Sequence, residues 1–112
     1  ARSVGLNFLE SGWTGLREYL SDVIEDLEGP IYLSLDMDAI DPAFAPGVGT
    51  PEPLGMTPYE IIQTINFFAD RIVGFDCVEV CPPHDNGNTS ALAARLIRHL
   101  VGAVWQSQER FK

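Results

Sequence analysis

Two short apolar segments, each preceded by an amphipathic or apolar helical segment, constrain the fold of this chain most. Residues 31–35 and residues 72–80 are short and nearly continuous in apolar character, as expected of buried strands. Ahead of the first, apolar residues recur at helical spacing over residues 13–27, with acidic residues on the other face, until Gly29-Pro30. This alternation predicts an α/β fold with a parallel sheet covered by helices on both faces.

A long loop and two further helices complete the pattern. Residues 42–58 hold five Pro and three Gly, which excludes regular structure and is typical of functional loops. Thr57 and Glu60 have the spacing of a capping box, so a helix is predicted to start there. Asn88 or Thr89 is predicted to cap the last helix.

The predicted sheet is too small to stand alone. A weaker apolar run at residues 4–9 would add one strand before the two clear ones. Even three parallel strands leave edge groups unpaired and faces partly uncovered. We therefore expect the 112 residues to form one incomplete unit, whose sheet is completed by more chain or by a partner.

Composition excludes several classes of function. Sixteen Asp plus Glu against seven Lys plus Arg give a net charge of −9, which leaves no basic surface for nucleic acid or an anionic membrane. No apolar run is long enough to span a bilayer, and we expect a cytoplasmic protein. Cys77 and Cys81 are too few for a secreted disulfide framework and are expected to be reduced thiols of the core.

Acidic side chains follow the first clear strand. If that strand continues for two residues, Asp36 and Asp38 face the same way, and Asp41 follows in a turn set by Pro42. Converging carboxylates repel each other unless a divalent cation neutralises them, which favours a metal site where the strand ends. The alternative is that these residues only form turns and caps at the start of the loop.

Another acid, Glu79, lies inside the second apolar run. A buried and unpaired carboxylate is costly, so either an Arg or Lys of the same fold or a ligand cation is expected to face it. His84 and Asp85 follow in the next loop, where a solvated turn is favoured over a catalytic role. His99 is expected on the surface of the last helix.

Longer motifs carry a resemblance to a known family. The chain resembles the ureohydrolases, the arginase and agmatinase family, in the runs SLDMDAIDP at residues 34–42 and APGVGTPE at residues 45–52. The run VEVCPPHD at residues 78–85 is similar to the agmatinase form of the next strand and loop, where arginases have an Asn and a single proline. Helix, strand and proline-rich loop also occur in the family's order along most of the chain.

The resemblance implies roles for particular residues. Asp36 and Asp38 match the two carboxylates that hold a pair of manganese ions, and Glu79 matches the acid that receives the substrate guanidinium. Thr50 and Asp41 would support the site by holding these residues in place, without binding the ions or the substrate themselves. In the family a hydroxide that bridges the two ions attacks the guanidinium carbon, because two divalent cations lower the pKa of a shared water.

The resemblance covers only part of the family's domain. The other four metal ligands come from a Gly-Gly-Asp-His segment and an Asp-Ala-His-x-Asp segment, and neither occurs in this sequence. We therefore expect residues 1–112 to be the C-terminal part of a three-layer α/β/α ureohydrolase domain. The complete protein would be a homo-oligomer, and this part alone would be inactive.

The expected reaction is the hydrolysis of agmatine to putrescine and urea. One alternative is a different guanidino substrate, as in arginase or guanidinobutyrase. A second is a truncated, non-catalytic domain. A third is a phosphotransferase with an Asp nucleophile, which also places Asp-x-Asp after a strand. The proline-rich loop that begins at Asp41-Pro42 disfavours it.

Overall fold

The computed structural model describes residues 12–109 as three helices and two strands. In chain order these elements are α1 (Gly12–Asp26), β1 (Ile31–Asp36), α2 (Pro58–Phe68), β2 (Ile72–Val78) and α3 (Asn88–Glu109). Short 3₁₀ helices follow the strands at Met37–Ala39 and Pro82–His84. The strands pair in parallel, which confirms the predicted α/β class. The run at residues 4–9 lies outside the described residues.

The first two helices begin and end where the sequence indicates. α1 ends at Asp26, and Gly29 follows with a φ of 74°, a conformation that glycine adopts without a steric penalty. At the start of α2, Thr57 Oγ1 accepts a hydrogen bond from Glu60 N at 3.2 Å. Glu60 Oε1 accepts one from Thr57 N at 2.9 Å, so the predicted capping box is confirmed.

The start of α3 differs from the prediction. The Asp85 carboxylate, rather than Asn88 or Thr89, accepts the hydrogen bonds of Thr89 N at 3.0 Å and Ser90 N at 2.9 Å. A carboxylate three residues before the helix reaches these N–H groups, and the positive end of the helix dipole favours its charge. The Ser90 hydroxyl above all, with the backbone N–H groups, lowers the pKa of Asp85 from 3.8 to about 2.

The apolar core lies on one face of the sheet. Leu33 and Leu35 of β1 and Cys77 of β2 share that face, where they pack with side chains of α2 and α3. A second cluster joins α1 to the end of α2 through Leu16, Leu20, Phe68 and Ile72. The described helices therefore cover one face, whereas cover on both was predicted, because a single β–α–β crossover places its helix on one side only.

The other face of the sheet is polar and exposed. It carries Tyr32, Ser34 and Asp36 of β1, and in register with Ser34 it carries Asp76 of β2. The Tyr32 and Ser34 hydroxyls donate to the two oxygens of the Asp76 carboxylate, at 2.9 and 2.7 Å. These bonds link the two strands on a face that no helix among residues 12–109 covers.

The remaining predictions for single residues are met in part. Cys77 and Cys81 are free thiols as expected, but each is only half-buried. Burial, above all, raises the pKa of Cys77. His99 is half-buried rather than on the surface, and its Nε2 lies 2.7 Å from Asn66 Oδ1. In the part of the chain that the structure describes, no helix is long and apolar enough to cross a membrane.

Candidate functional site

A tight turn, rather than a continued strand, brings Asp36 and Asp38 to one edge of the sheet. Asp36 Oδ1 accepts a hydrogen bond from Asp38 N at 2.9 Å and caps the Met37–Ala39 turn. Met37 is fully buried and anchors that turn in the core. The condition that the strand continues to Asp38 is therefore not met, because the Asp36 side chain ends β1 by capping the backbone that follows it.

The Asp38 carboxylate is held on one side and unsatisfied on the other. Its Oδ2 accepts a hydrogen bond of 2.6 Å from Thr50 Oγ1, across the proline-rich loop. Its Oδ1 is buried and has no hydrogen-bond partner among the described residues. An unpartnered buried oxygen is rare because its lost hydration is uncompensated. A cation at Oδ1 would remove that cost.

Asp41 organises the loop that follows. Its Oδ1 accepts a hydrogen bond from Ala43 N at 2.8 Å, and its Oδ2 accepts bonds from Leu54 N and Gly55 N at 3.0 and 3.2 Å. The bond from Ala43 is the largest cause of a lowered pKa for Asp41. Its oxygens are thus engaged by backbone, and Asp41 fits the supporting role that the resemblance implies as well as the turn-forming role.

Glu79 lies beyond the end of β2 rather than inside a strand. β2 ends at Val78, Glu79 has a φ of 74°, and its side chain is exposed. The prediction of a buried strand carboxylate is therefore wrong. The backbone turns at Glu79 because Val80 leaves the parallel sheet and forms an antiparallel bridge with Val48 of the loop. A left-handed backbone is unusual for a residue other than Gly, and such positions are frequent at functional sites.

Residues 46–50, here called the connecting loop, link these two groups. Thr50 at one end bonds Asp38, and Gly49 lies against Glu79, where a Cβ built on Gly49 would be 4.0 Å from Glu79 Oε2. His84 is exposed in the next loop, and its Nδ1 lies 3.2 Å from Val48 O. The connecting loop therefore contacts one candidate metal ligand, Asp38, and lies next to the candidate guanidinium acceptor, Glu79.

The ligands available in residues 12–109 are few. No group of three or more His, Cys, Asp or Glu side chains in this range could hold a metal ion. A cation at Asp36 and Asp38 would need further ligands from elsewhere. A groove of about 710 Å³ between α2 and α3 is lined by neither of these carboxylates. Asp36 lies instead on the open polar face of the sheet.

Two residues of the site region carry roles that the sequence did not indicate. Thr89 was predicted only as a cap, but its buried Oγ1 accepts a hydrogen bond from Gly47 N at 2.9 Å. Gly47 has no room for a side chain, since a Cβ there would lie 2.5 Å from Asp85 Cβ. The sequence around Gly47 gives no sign of its hydrogen bond to Thr89, because Thr89 lies 42 residues away in the chain.

The fold and this edge together define an α/β protein with carboxylates gathered where its parallel strands end. Residues 7–102 match the sequence profile of the Arginase family. The chain belongs to the arginase family.

Relatives and solved structures agree with that assignment. The chain is 44% identical over 88 residues to a human protein named guanidino acid hydrolase, mitochondrial, covering 76% of this chain and 25% of that one. It is 49% identical over 76 residues to the chicken protein named agmatinase, mitochondrial, covering 66% and 22%. Agmatine ureohydrolase of Thermoplasma volcanium superposes with a TM-score of 0.79 at 41% identity, covering 86% of this chain and 32% of that one. The matched part is thus about a quarter of the length of these sequence relatives.

Proposed function

We propose that this chain contributes part of the active site of a manganese ureohydrolase, which releases urea from a guanidino compound. The observation that carries the proposal is the Asp38 carboxylate, with Oδ2 fixed by Thr50 and Oδ1 buried without a partner. Carboxylate oxygens are the hard ligands that manganese accepts. The neighbouring Asp36 is exposed and supplies a second carboxylate at the same turn.

The proposal requires more protein than these residues. Asp36 and Asp38 are too few to hold a pair of ions, and the described residues contain no larger ligand group. We infer that residues 1–112 are the C-terminal part of a ureohydrolase domain, and that the remaining ligands come from its upstream part. The complete protein would be a homo-oligomer, as the resemblance implies.

The chain's own residues would bind and orient the reactants. Two divalent ions, when bound, supply a water activated for attack at neutral pH. Asp36 and Asp38 would hold them, and Thr50 would keep Asp38 in place through its hydrogen bond. Glu79 is exposed at the end of β2, so its carboxylate can accept hydrogen bonds from the N–H groups of a guanidinium. These bonds would orient the central carbon of the guanidinium for attack by the water.

Agmatine is the proposed substrate, supported by the PPHD run at residues 82–85 and by the likeness to agmatinases. A net charge of −9 also disfavours a substrate carboxylate, although salt screens this effect. A guanidino acid is the second candidate, because the human relative carries that name. The two substrates share the guanidinium end that Glu79 would bind, so residues outside this chain would distinguish them.

A substrate panel tests this function. The complete enzyme loaded with Mn²⁺ would be assayed for urea release from agmatine, 4-guanidinobutyrate and arginine, with residues 1–112 alone as a control. We expect the highest kcat/KM for agmatine and no turnover by the isolated chain. A preference for a guanidino acid would replace agmatine and leave the ureohydrolase proposal standing. No urea from any guanidino compound would refute it.

We also place the protein in a reducing compartment, the cytoplasm. Both thiols are free, as is typical of proteins kept under reducing conditions. Two relatives are named as mitochondrial, and import into mitochondria is the alternative. Localisation of a tagged complete protein by microscopy distinguishes the two.

A further inference from the structure

The connecting loop is hydrogen-bonded to residues 81–89, the segment between the end of β2 and the first turn of α3. Gly47 is bound on both sides: its N–H donates to Thr89 Oγ1, and its carbonyl accepts from Cys81 N, each at 2.9 Å. Just before the loop, Phe44 O accepts from Asn88 Nδ2 at 3.3 Å. These contacts attach the loop to the end of β2 and to the first turn of α3.

Among the side-chain hydrogen bonds to residues 44–48, the one made by Thr89 is the most buried. Thr89 is 0% exposed, and its hydroxyl is the acceptor for the buried Gly47 N–H. Without that acceptor, the N–H would be left unsatisfied in the interior, which costs more than an ordinary hydrogen bond contributes. The side chains of His84 and Asn88 are exposed, so water can replace the bonds that they make.

Close packing of Gly47 against Asp85 makes the position of the connecting loop depend on the position of α3. Asp85 is fixed by the N–H groups of Thr89 and Ser90, and Gly47 packs so tightly against Asp85 that no Cβ fits between them. Only Val48 and Gly49 lie between Gly47 and Thr50 in the chain. A displacement at Gly47 would therefore change where the Thr50 hydroxyl lies relative to Asp38 Oδ2.

We propose that Thr89 is a positioning residue for the candidate site. Its hydroxyl holds Gly47, and thereby sets where Thr50 meets Asp38 and where the adjacent Gly49 lies against Glu79. The proposal rests on the proposed function. Thr89 touches neither substrate nor metal and acts only through the loop.

The test compares two buried hydroxyls of α3 in the complete enzyme. Thr89→Val keeps the side-chain shape and removes the acceptor, whereas Thr89→Ser keeps the acceptor. Ser107→Ala is the matched control, because Ser107 is 8% exposed and donates to Ala69 O at 3.2 Å, far from the site. Thr89→Ala, which leaves space for a water at Gly47 N–H, replaces Thr89→Val if that variant does not fold.

Two readouts are expected to separate positioning from simple stabilisation. In Thr89→Val, amide exchange at Gly47 should be at least tenfold faster. The Kd for Mn²⁺ should rise severalfold, by less than the roughly tenfold expected when the partner bonded to a metal ligand is itself removed. Thr89→Ser should restore both. Ser107→Ala should lower Tm while leaving the Mn²⁺ Kd and the exchange at Gly47 unchanged.

The proposal is overturned if Thr89→Val lowers Tm but keeps the wild-type exchange at Gly47 and the wild-type Mn²⁺ Kd. It is also overturned if Ser107→Ala weakens Mn²⁺ binding as much. A wild-type enzyme that binds no Mn²⁺ refutes the proposed function instead. Exchange at Gly47 and Thr50 in the Thr89 variants then decides whether Thr89 holds the loop.

Discussion

Replacing Gly47 by Ala is the sharpest test of the packing between the connecting loop and α3. The new Cβ would lie 2.5 Å from Asp85 Cβ and 2.8 Å from its Cγ, so one side must move. Asp85 is bound to the first turn of α3, and Gly47 is bound at both its N–H and its carbonyl. Overpacking of this kind costs about 1 to 3 kcal/mol of stability. Because hydrogen bonds hold both Gly47 and Asp85 in place, we expect a cost in the upper half of that range, about 2 to 3 kcal/mol.

The control is the same substitution in open space. Gly102 lies in α3 with no atom within 4 Å of a built Cβ, so Gly102→Ala should stabilise the helix by about 0.5 to 1 kcal/mol. Urea unfolding of the complete enzyme at one protein concentration measures both variants, which should therefore differ by about 2.5 to 4 kcal/mol. Gly47→Ala within about 0.5 kcal/mol of wild type would refute the packing described here.

Three further predictions concern the site and its surroundings. Thr50→Val removes the hydroxyl that bonds Asp38, so calorimetry should show roughly tenfold weaker Mn²⁺ binding, and equal affinity would make that bond incidental. Glu79→Gln should keep the metal content but raise KM for the guanidino substrate by roughly one to two orders of magnitude; an unchanged KM would place the guanidinium elsewhere. The Asp85 carboxyl has a folded pKa of about 2 against 3.8. Its charge therefore stabilises the fold above about pH 4, and this contribution is lost towards pH 2. The urea midpoint should fall less steeply over that range in Asp85→Asn, and equal slopes would contradict the assigned hydrogen bonds.

Local signals in the sequence predicted the elements well. The start of α2 follows from Thr57 and Glu60 alone, because both partners of the capping box lie within one turn. The apolar runs located β1 and β2 for a similar reason, since burial of a short strand is visible in its composition.

Predictions that depended on distant contacts were less accurate. One local contact was also missed, because strand parity did not indicate that the Asp36 side chain caps the next turn and ends the strand. The bridge between Val48 and Val80 turns the chain at Glu79, and no pattern near Glu79 indicates it. The roles of Thr89 likewise required the folded loop.

The most direct test of the proposed function is the manganese content of the complete enzyme. Wild type, Asp38→Asn and Asp70→Asn would be purified with Mn²⁺, dialysed and measured by elemental analysis. Asp70 is an exposed acid just after α2, away from the site, and controls for loss of charge. We predict about two ions per subunit in wild type and in Asp70→Asn, and the loss of at least one in Asp38→Asn, because that variant removes an anionic ligand. Full occupancy in Asp38→Asn would contradict the assignment of this carboxylate as a metal ligand.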